Sequence, residues 1–266
     1  MLCFFEILRD CSESWTIHTD FAASYLQQYL TQSHCLDSDE QELVYFSRAY
    51  SSSHSILAAT ASTRPFTPSP VPEDPTIQTL TGCSHRLLSL ISRTSQLAND
   101  QPTSGSTAEI AARRNDIERQ LTELYQPIPH DAGADEAELA LVAETKRLTA
   151  LLYLYSRIDD AGPQEPRITR LTAQILALLQ QVSLRTNTIL WPLFMVGTLG
   201  VRPEDDEHRR LVLERLTALQ ETRQLGNVKK ARQILVDVWK ARDLRKTDAT
   251  KAWSILTDRY GTLSLA

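Results

Sequence analysis

Apolar residues recur at three- and four-residue intervals through most of the chain, which is the spacing of one face of an α-helix. No segment has the regular apolar–polar alternation that is typical of a half-buried strand. The pattern therefore predicts an all-α fold of about ten helices in one irregular helical domain that covers residues 1–266. The predicted stripes are Trp15–Phe21–Tyr25–Tyr29, Leu43–Phe46–Tyr50–Leu57, Ile77–Leu80–Leu87–Ile91, Ile110–Ile117–Leu124, Leu141–Leu152–Ile158, Ile168–Ile175–Val182, Leu211–Leu219, Ile234–Trp239 and Trp253–Tyr260.

One segment, Ile189 to Leu199, contains no charged residue at all and reads ILWPLFMVGTL. It is too short to cross a bilayer, which requires about 20 apolar residues. A helix that is apolar on every side is normally buried, and Pro192 fits its first turn if the helix begins near Thr188. We therefore predict a central helix with Trp191 and Phe194 buried, which opens a group of C-terminal helices over residues 188–260.

A proline-rich segment interrupts the helical pattern at residues 64–75, which hold five of the twelve prolines. Because proline breaks a helix interior, this segment is predicted to be a linker. It contains two proline-directed phosphorylation candidates, Thr67 and Ser69, although such dipeptides are common in linkers. Phosphorylation would add negative charge to each.

Net charge, the N-terminal sequence and the cysteine spacing each argue against a class of function. The formal net charge of −5 gives no general reason to bind nucleic acid or acidic membranes. The N-terminus has an acid and no base before its apolar residues, unlike a signal peptide, and no segment is a candidate transmembrane helix. The four cysteines are scattered without a C-x-x-C pair, so they predict buried reduced thiols rather than a zinc site: Cys3, Cys11, Cys35 and Cys83.

Two acidic clusters, Asp159-Asp160 and residues 204–207, are candidates for magnesium binding. An aspartate-rich helix motif needs an acid four positions after its first aspartate, but the chain has Pro163 and Arg209 there. The second cluster is better interpreted as a helix N-terminus, where negative side chains are favourable. Neither cluster is predicted to hold a metal.

Other candidate groups also lack a motif. The histidines, including His208 beside its acidic neighbours, form no H-E-x-x-H arrangement, and no G-x-S-x-G or P-loop is present. Between Lys229 and Lys251 there are eight basic residues against three aspartates, which indicates either phosphate binding or a solvated face around Val238-Trp239. No catalytic, cofactor-binding or metal-binding residue is therefore predicted. The histidines are His18, His34, His54, His85, His130 and His208.

The order of a buried WPLF helix, a charged helix and a helix ending in VW-K-RD resembles the C-terminal part of the fungal-specific transcription factor domain. Earlier segments are similar to the same family. They are Trp15 to Leu30, Leu43 to Ala58 (a helix pair in this resemblance), Gly82 to Ala98, and Glu144 to Ile158 with the sequence ETKRLTALLYLYSRI.

The resemblance implies the regulatory domain of a binuclear zinc-cluster transcription factor, without enzymatic activity, that controls RNA polymerase II transcription in the nucleus. Its implied contacts are protein partners of the transcription machinery, self-association or a small effector. The family's six-cysteine zinc cluster is absent from this sequence. No cofactor and no direct sequence-specific DNA binding are therefore expected of this chain. A stand-alone helical scaffold and an enzyme with a helical cavity are the alternative interpretations.

The beginning of the chain departs from the family, whose domain usually has further helices before the one that bears the tryptophan. Met1 lies only 14 residues ahead of Trp15, so we expect a truncated gene model, a fragment or a stand-alone descendant. The apolar residues between Leu2 and Leu8 cannot all face one buried stripe. They predict self-association or poor solubility through this segment, unless they cap the core of a complete domain.

Overall fold

The computed structural model describes residues 6, 7, 9, 11, 14–32, 37–62, 72–100, 107–130, 136–184, 187–223, 225–244 and 262–266. Within these ranges nine α-helices have defined bounds, which confirms the all-α prediction. They are α1 (Ser14–Gln32), α2 (Ser38–Ala59), α3 (His85–Asp100), α4 (Thr107–Glu123), α5 (Glu136–Ile158), α6 (Pro166–Gln181), α7 (Leu190–Met195), α8 (Asp206–Arg223) and α9 (Gly226–Asp243).

The third predicted stripe is not helical at its start, which corrects the expectation that the chain has no strand. Two short strands, β1 (Ile77–Gln78) and β2 (Cys83–Ser84), pair antiparallel with Ile77 opposite Ser84. The reason is the turn between them, where Gly82 has a φ of +63° and its N–H donates to the Gln78 carbonyl at 2.8 Å. This left-handed conformation suits glycine and ends any helical repeat. Helix α3 begins only at His85.

Helix α2 begins with a capping box. The Asp37 side chain accepts the Glu40 N–H at 2.8 Å, and the Glu40 carboxylate accepts the Asp37 N–H at 3.1 Å. Two donors at the helix start are thereby satisfied. From there α2 continues without a break to Ala59, so the helix pair implied between Leu43 and Ala58 is a single helix.

The first two stripes form helices as predicted, but several of their apolar side chains face outward. Trp15 is buried, whereas Phe21 is 71% exposed and Phe46 is 49% exposed. Tyr25 stacks on the rings of both Phe21 and Tyr29, with centroids 6.4 and 6.3 Å apart. We call the exposed set the aromatic face. It comprises Ile17, Phe21 and Tyr25 on α1, with Leu43 and Phe46 on α2.

The core is centred on α7, as the uncharged segment predicts. A 3-10 turn (Asn187–Ile189) precedes α7, which places Pro192 in the first α-helical turn. A π-helical stretch (Val196–Gly200) then continues it. Trp191 and Phe194 are both fully buried, and helices α5, α8 and α9 all contact α7. The Trp191 indole N–H donates to Thr60 Oγ1 at 2.9 Å, which links the core to the end of α2.

Helix α9 closes the C-terminal end of this central segment. The Trp239 indole N–H donates to the Gly197 carbonyl at 2.9 Å, and the Arg242 guanidinium donates to the Thr198 carbonyl. The last carbonyls of a helix have no partner within the helix, so these two side chains satisfy groups that burial would otherwise leave unpaired. A β-carbon at Gly197 would lie 2.7 Å from Leu235 Cδ1 on α9, so any larger residue here would force that leucine side chain to move.

Several predictions fall outside the described residues: the helix around Trp253 to Tyr260, the phosphorylation candidates Thr67 and Ser69, and most of the segment from Leu2 to Leu8. Of that last segment, Ile7 is described and is buried against the core. Among the described helices, none combines the length and the apolar run needed to cross a bilayer.

Replacing Phe194 by Ala should lower the free energy of unfolding by about 3–5 kcal/mol, because it removes a buried ring and leaves a cavity. Phe21→Ala is the matched control, since the same substitution on the aromatic face should change stability by about 0.5 kcal/mol or less. Urea denaturation of both variants measures the difference. Equal stability of the two variants would show that the uncharged segment is not the centre of the core.

Candidate functional site

The first acidic cluster is a structural ion-pair group. Asp159 accepts two hydrogen bonds from Arg114, at 2.9 and 2.6 Å, and one from Arg167 at 2.8 Å. These two guanidinium groups hold the pKa of Asp159 below its usual range, against the opposing effect of burial. Tyr155 lies beneath both guanidinium groups. The cluster therefore joins α4 to the connection between α5 and α6. The Asp159 carboxylate already binds two guanidinium groups and is not open to a metal ion.

The second acidic cluster is the start of α8, as predicted. Asp205 Oδ1 accepts the His208 N–H at 3.1 Å, and Asp205 Oδ2 lies 2.7 Å from His208 Nδ1. Asp206 and Glu207 occupy the first turn of the helix. Within the described ranges no group of three or more histidine, cysteine or acidic residues could hold a metal ion.

The basic segment from Lys229 is split between surface and interior. Arg242 is buried against the end of the central segment, and burial lowers its pKa to about 10. Lys230 donates to the carbonyls of Cys11 and Thr262, at 2.9 and 3.2 Å. Residues 245–251 lie outside the described ranges. The described basic residues therefore do not form one continuous phosphate-binding face.

A cavity of about 170 Å³ lies between α2, the β1–β2 turn, α5 and the start of α9. We call it the Lys146 cavity. Its polar groups come from His54, Thr81, Lys146 and Asn227, and its apolar wall includes Leu57, Leu80 and Leu225. A mostly apolar lining with a few polar groups is typical of a small-molecule site, and this cavity is smaller than those that hold drug-sized ligands. We take it as the candidate site because buried polar side chains border it.

Lys146 projects from α5 and is 1% exposed. Its ammonium group donates to the Thr81 carbonyl in the hairpin turn. Burial lowers the pKa of Lys146, and the nearby Cys83 thiol opposes this effect. Among the described residues no carboxylate pairs with this ammonium group, which is unusual because buried charges are normally paired.

His54 lies across the cavity on α2 and is 6% exposed. Its Nδ1 is 2.9 Å from Ser264 Oγ, and its ring is 4.2 Å from the centre of the Tyr50 ring. Burial, followed by the charge on Lys146, lowers the pKa of His54 to about 4. The imidazole is therefore neutral near pH 7.

Asn227 adds a second unusual polar group at the start of α9. Its side-chain N–H donates to the Ser264 carbonyl at 3.2 Å. Its Oδ1 is buried and has no hydrogen-bond partner within the described structure. An unpaired buried acceptor costs free energy, so a donor from a bound molecule would stabilise it.

Sequence reasoning missed this site because its residues are far apart along the chain. In the sequence His54 is one of six histidines without a metal motif, and Lys146 is part of the ETKRLTALLYLYSRI helix. The available signal was a lysine on the apolar side of α5, close to Val142, Thr145 and Thr149, which are all buried. Periodicity places Lys146 on a buried face, but its partners depend on how α2 and α9 pack.

The described part of the chain is thus a mainly helical structure with one partly polar cavity as its candidate site. Residues 1–262 match the family model described as the fungal specific transcription factor domain. The chain therefore belongs to that family, which confirms the resemblance carried by the WPLF segment. No curated protein and no solved structure gives a significant match. Membership of the family implies a role in transcription regulation and, in general, a nuclear location.

The buried His54 should make the protein less stable in acid. The unfolded chain protonates this histidine near pH 6.5 and the folded chain only near pH 4, so its stabilising contribution is complete above pH 6.5 and is lost as the pH falls to 4. At about 1.4 kcal/mol per pKa unit, the free energy of unfolding should fall by about 3 kcal/mol over this range.

Urea denaturation of the wild type and His54→Gln between pH 7 and pH 4 tests this contribution. The pH-dependent loss of stability should be smaller in the variant. His130→Gln, the same substitution at an exposed histidine, is the control and should behave as the wild type does. An identical pH dependence for wild type and His54→Gln would contradict the prediction.

Proposed function

We propose that this chain is a regulatory domain that controls RNA polymerase II transcription in the fungal nucleus through protein contacts and a small effector, without catalysing a reaction. The observation that carries the proposal is the family match over residues 1–262. Two features support it: the exposed aromatic face for protein contacts, and the Lys146 cavity for an effector.

The aromatic face is suited to a protein partner because it exposes large apolar side chains on two adjacent helices. Four of its members are each more than half exposed: Ile17, Phe21, Tyr25 and Leu43. Where such side chains form one exposed patch, the patch usually marks an interaction site. Aromatic residues are enriched at such interfaces, since they bury a large area with few rotatable bonds.

The charges around the aromatic face indicate which partner fits. Asp20, Asp39 and Glu42 are exposed on the same two helices, where Arg48 is an exposed base. Exposed acids on the same helices as exposed apolar side chains are complementary to a partner that combines basic and apolar residues. A second copy of this chain would bring like charges together, so we propose a basic partner protein of the transcription machinery as the occupant.

A reporter assay tests the regulatory function. Residues 1–266 are fused to an unrelated sequence-specific DNA-binding domain in a fungal host, and transcription from its target promoter is measured. The fusion should change reporter output several-fold relative to the DNA-binding domain alone. The double variant Phe21→Ser/Phe46→Ser should lose most of this change, because it removes two exposed anchors of the interface.

Leu244→Ser is the matched control, since Leu244 is 63% exposed but lies at the end of α9. This variant should retain the reporter effect. No effect from the wild-type fusion would contradict the regulatory function. Equal effects of both variants would contradict the role of the aromatic face, and loss of a wild-type dimer in the double variant would show that self-association is the contact.

The chain alone should bind duplex DNA weakly and without sequence preference. Its net charge is −5, and Arg242 and Lys230 are engaged in internal hydrogen bonds. Nonspecific complexes at physiological salt typically have Kd values of about 1–100 µM. Fluorescence anisotropy with unrelated duplexes measures the affinity, and a nanomolar, sequence-selective complex would show the expectation to be wrong.

A further inference from the structure

We propose that the Lys146 cavity binds a small aliphatic monocarboxylate, whose carboxylate pairs with the Lys146 ammonium group. The proposal rests on the regulatory function above and names the chemical class of its effector.

In its protonated form Lys146 selects an anion, and a bound anion would in turn favour that protonated form against the effect of burial. A lysine ammonium group offers three donors, and within the described structure Lys146 uses the Thr81 carbonyl as its hydrogen-bond acceptor. The last residue of the sequence, Ala266, also borders the cavity. Its α-carboxylate forms no ion pair with Lys146 among the described residues. A carboxylate in the cavity would give the ammonium group a charged partner, and such pairs are among the stronger hydrogen bonds in proteins.

The shape and lining of the site select an organic anion over an inorganic one. A cavity of about 150 Å³ holds a benzene molecule, so about 170 Å³ accommodates roughly six to eight non-hydrogen atoms. Leu57, Leu80 and Leu225 line it and would pack against an aliphatic group. Phosphate or sulfate would leave those walls without a contact.

A second polar contact is available at Asn227. Its buried Oδ1 accepts no hydrogen bond in the described structure, so it can accept one from a hydroxyl group on the ligand or from a water molecule that enters with it. The ligand therefore has two polar anchors, a cation and a neutral acceptor, contributed by α5 and α9.

A ligand in the cavity would contact both α2, which bears part of the aromatic face, and α9, which closes the central segment. Tyr50 and His54 line it from α2, the helix that also bears Leu43 and Phe46 of the aromatic face. Asn227 lines it from α9, the helix that closes the end of the central segment. Because a ligand that binds only the folded state stabilises that state, an effector here would hold α2 and α9 together.

Binding is tested on the full chain by isothermal titration calorimetry with isovalerate and with its uncharged isostere isovaleramide. Isovalerate should bind with a Kd on the order of 1 mM or tighter, and isovaleramide at least about tenfold more weakly, because it cannot pair with the ammonium group. Amide NMR spectra should show shifts at the Asn227 side chain and at Ser264 when isovalerate is added.

Lys146→Met keeps an unbranched side chain and removes the charge, so it should lose isovalerate binding. Lys240→Met makes the same substitution at a lysine whose side chain is 67% exposed, and it should bind as the wild type does. If Lys146→Met does not fold, the comparison of isovalerate with isovaleramide and the NMR shifts of the wild type still decide the question.

Four results would overturn the proposal: no saturable binding of isovalerate, equal binding of isovaleramide, full binding by folded Lys146→Met, or displacement of isovalerate by equimolar inorganic phosphate. These measurements do not depend on transcription. Failure to bind with an active reporter fusion would refute the ligand alone, whereas binding with an inactive fusion would refute the regulatory function.

Discussion

The architecture depends on how the buried end of the central segment satisfies its carbonyl groups. The segment is apolar on all sides, so its last carbonyls cannot reach water, and unpaired buried carbonyls are costly. The indole of Trp239 and the guanidinium of Arg242 supply the donors from α9. Gly197 allows α9 to approach closely enough for this. The position of α9 is thereby determined, and with it one wall of the Lys146 cavity.

Two buried cations thus have different roles. Arg242 donates to a carbonyl at the C-terminal end of a helical segment, where the aligned peptide dipoles present partial negative charge. Lys146 donates to the carbonyl of a hairpin turn and borders a cavity. Burial lowers the pKa of Arg242, and its Nε and Nη1 have no hydrogen-bond partner within the described structure, so only the bond to Thr198 is satisfied by the helix end. Lys146 differs from Arg242 in that it borders a cavity with room for a small molecule, which is the physical basis for assigning it to a ligand.

Helix α2 connects the two candidate surfaces of the domain. Its outer side carries Leu43 and Phe46, while its inner side presents His54 and Leu57 to the core and the cavity. Its C-terminal end is joined to the central helix by the hydrogen bond between Thr60 and Trp191. A ligand that contacts the inner side would therefore affect the same rigid element that presents the aromatic face, which is a physical route from effector to partner.

The sequence by itself determined the all-helical class, the buried helix at Trp191 and Phe194, and the family. These follow from local periodicity and from the order of packing residues, which require no knowledge of distant contacts. It did not reveal the β1–β2 hairpin, because a single glycine conformation ended the helical repeat there. It also did not reveal the outward direction of Phe21 and Phe46, since an apolar stripe does not say whether a second element covers it. Only the tertiary structure placed His54, Lys146 and Asn227 around one cavity, because their proximity depends on the packing of α2, α5 and α9 and on no local pattern.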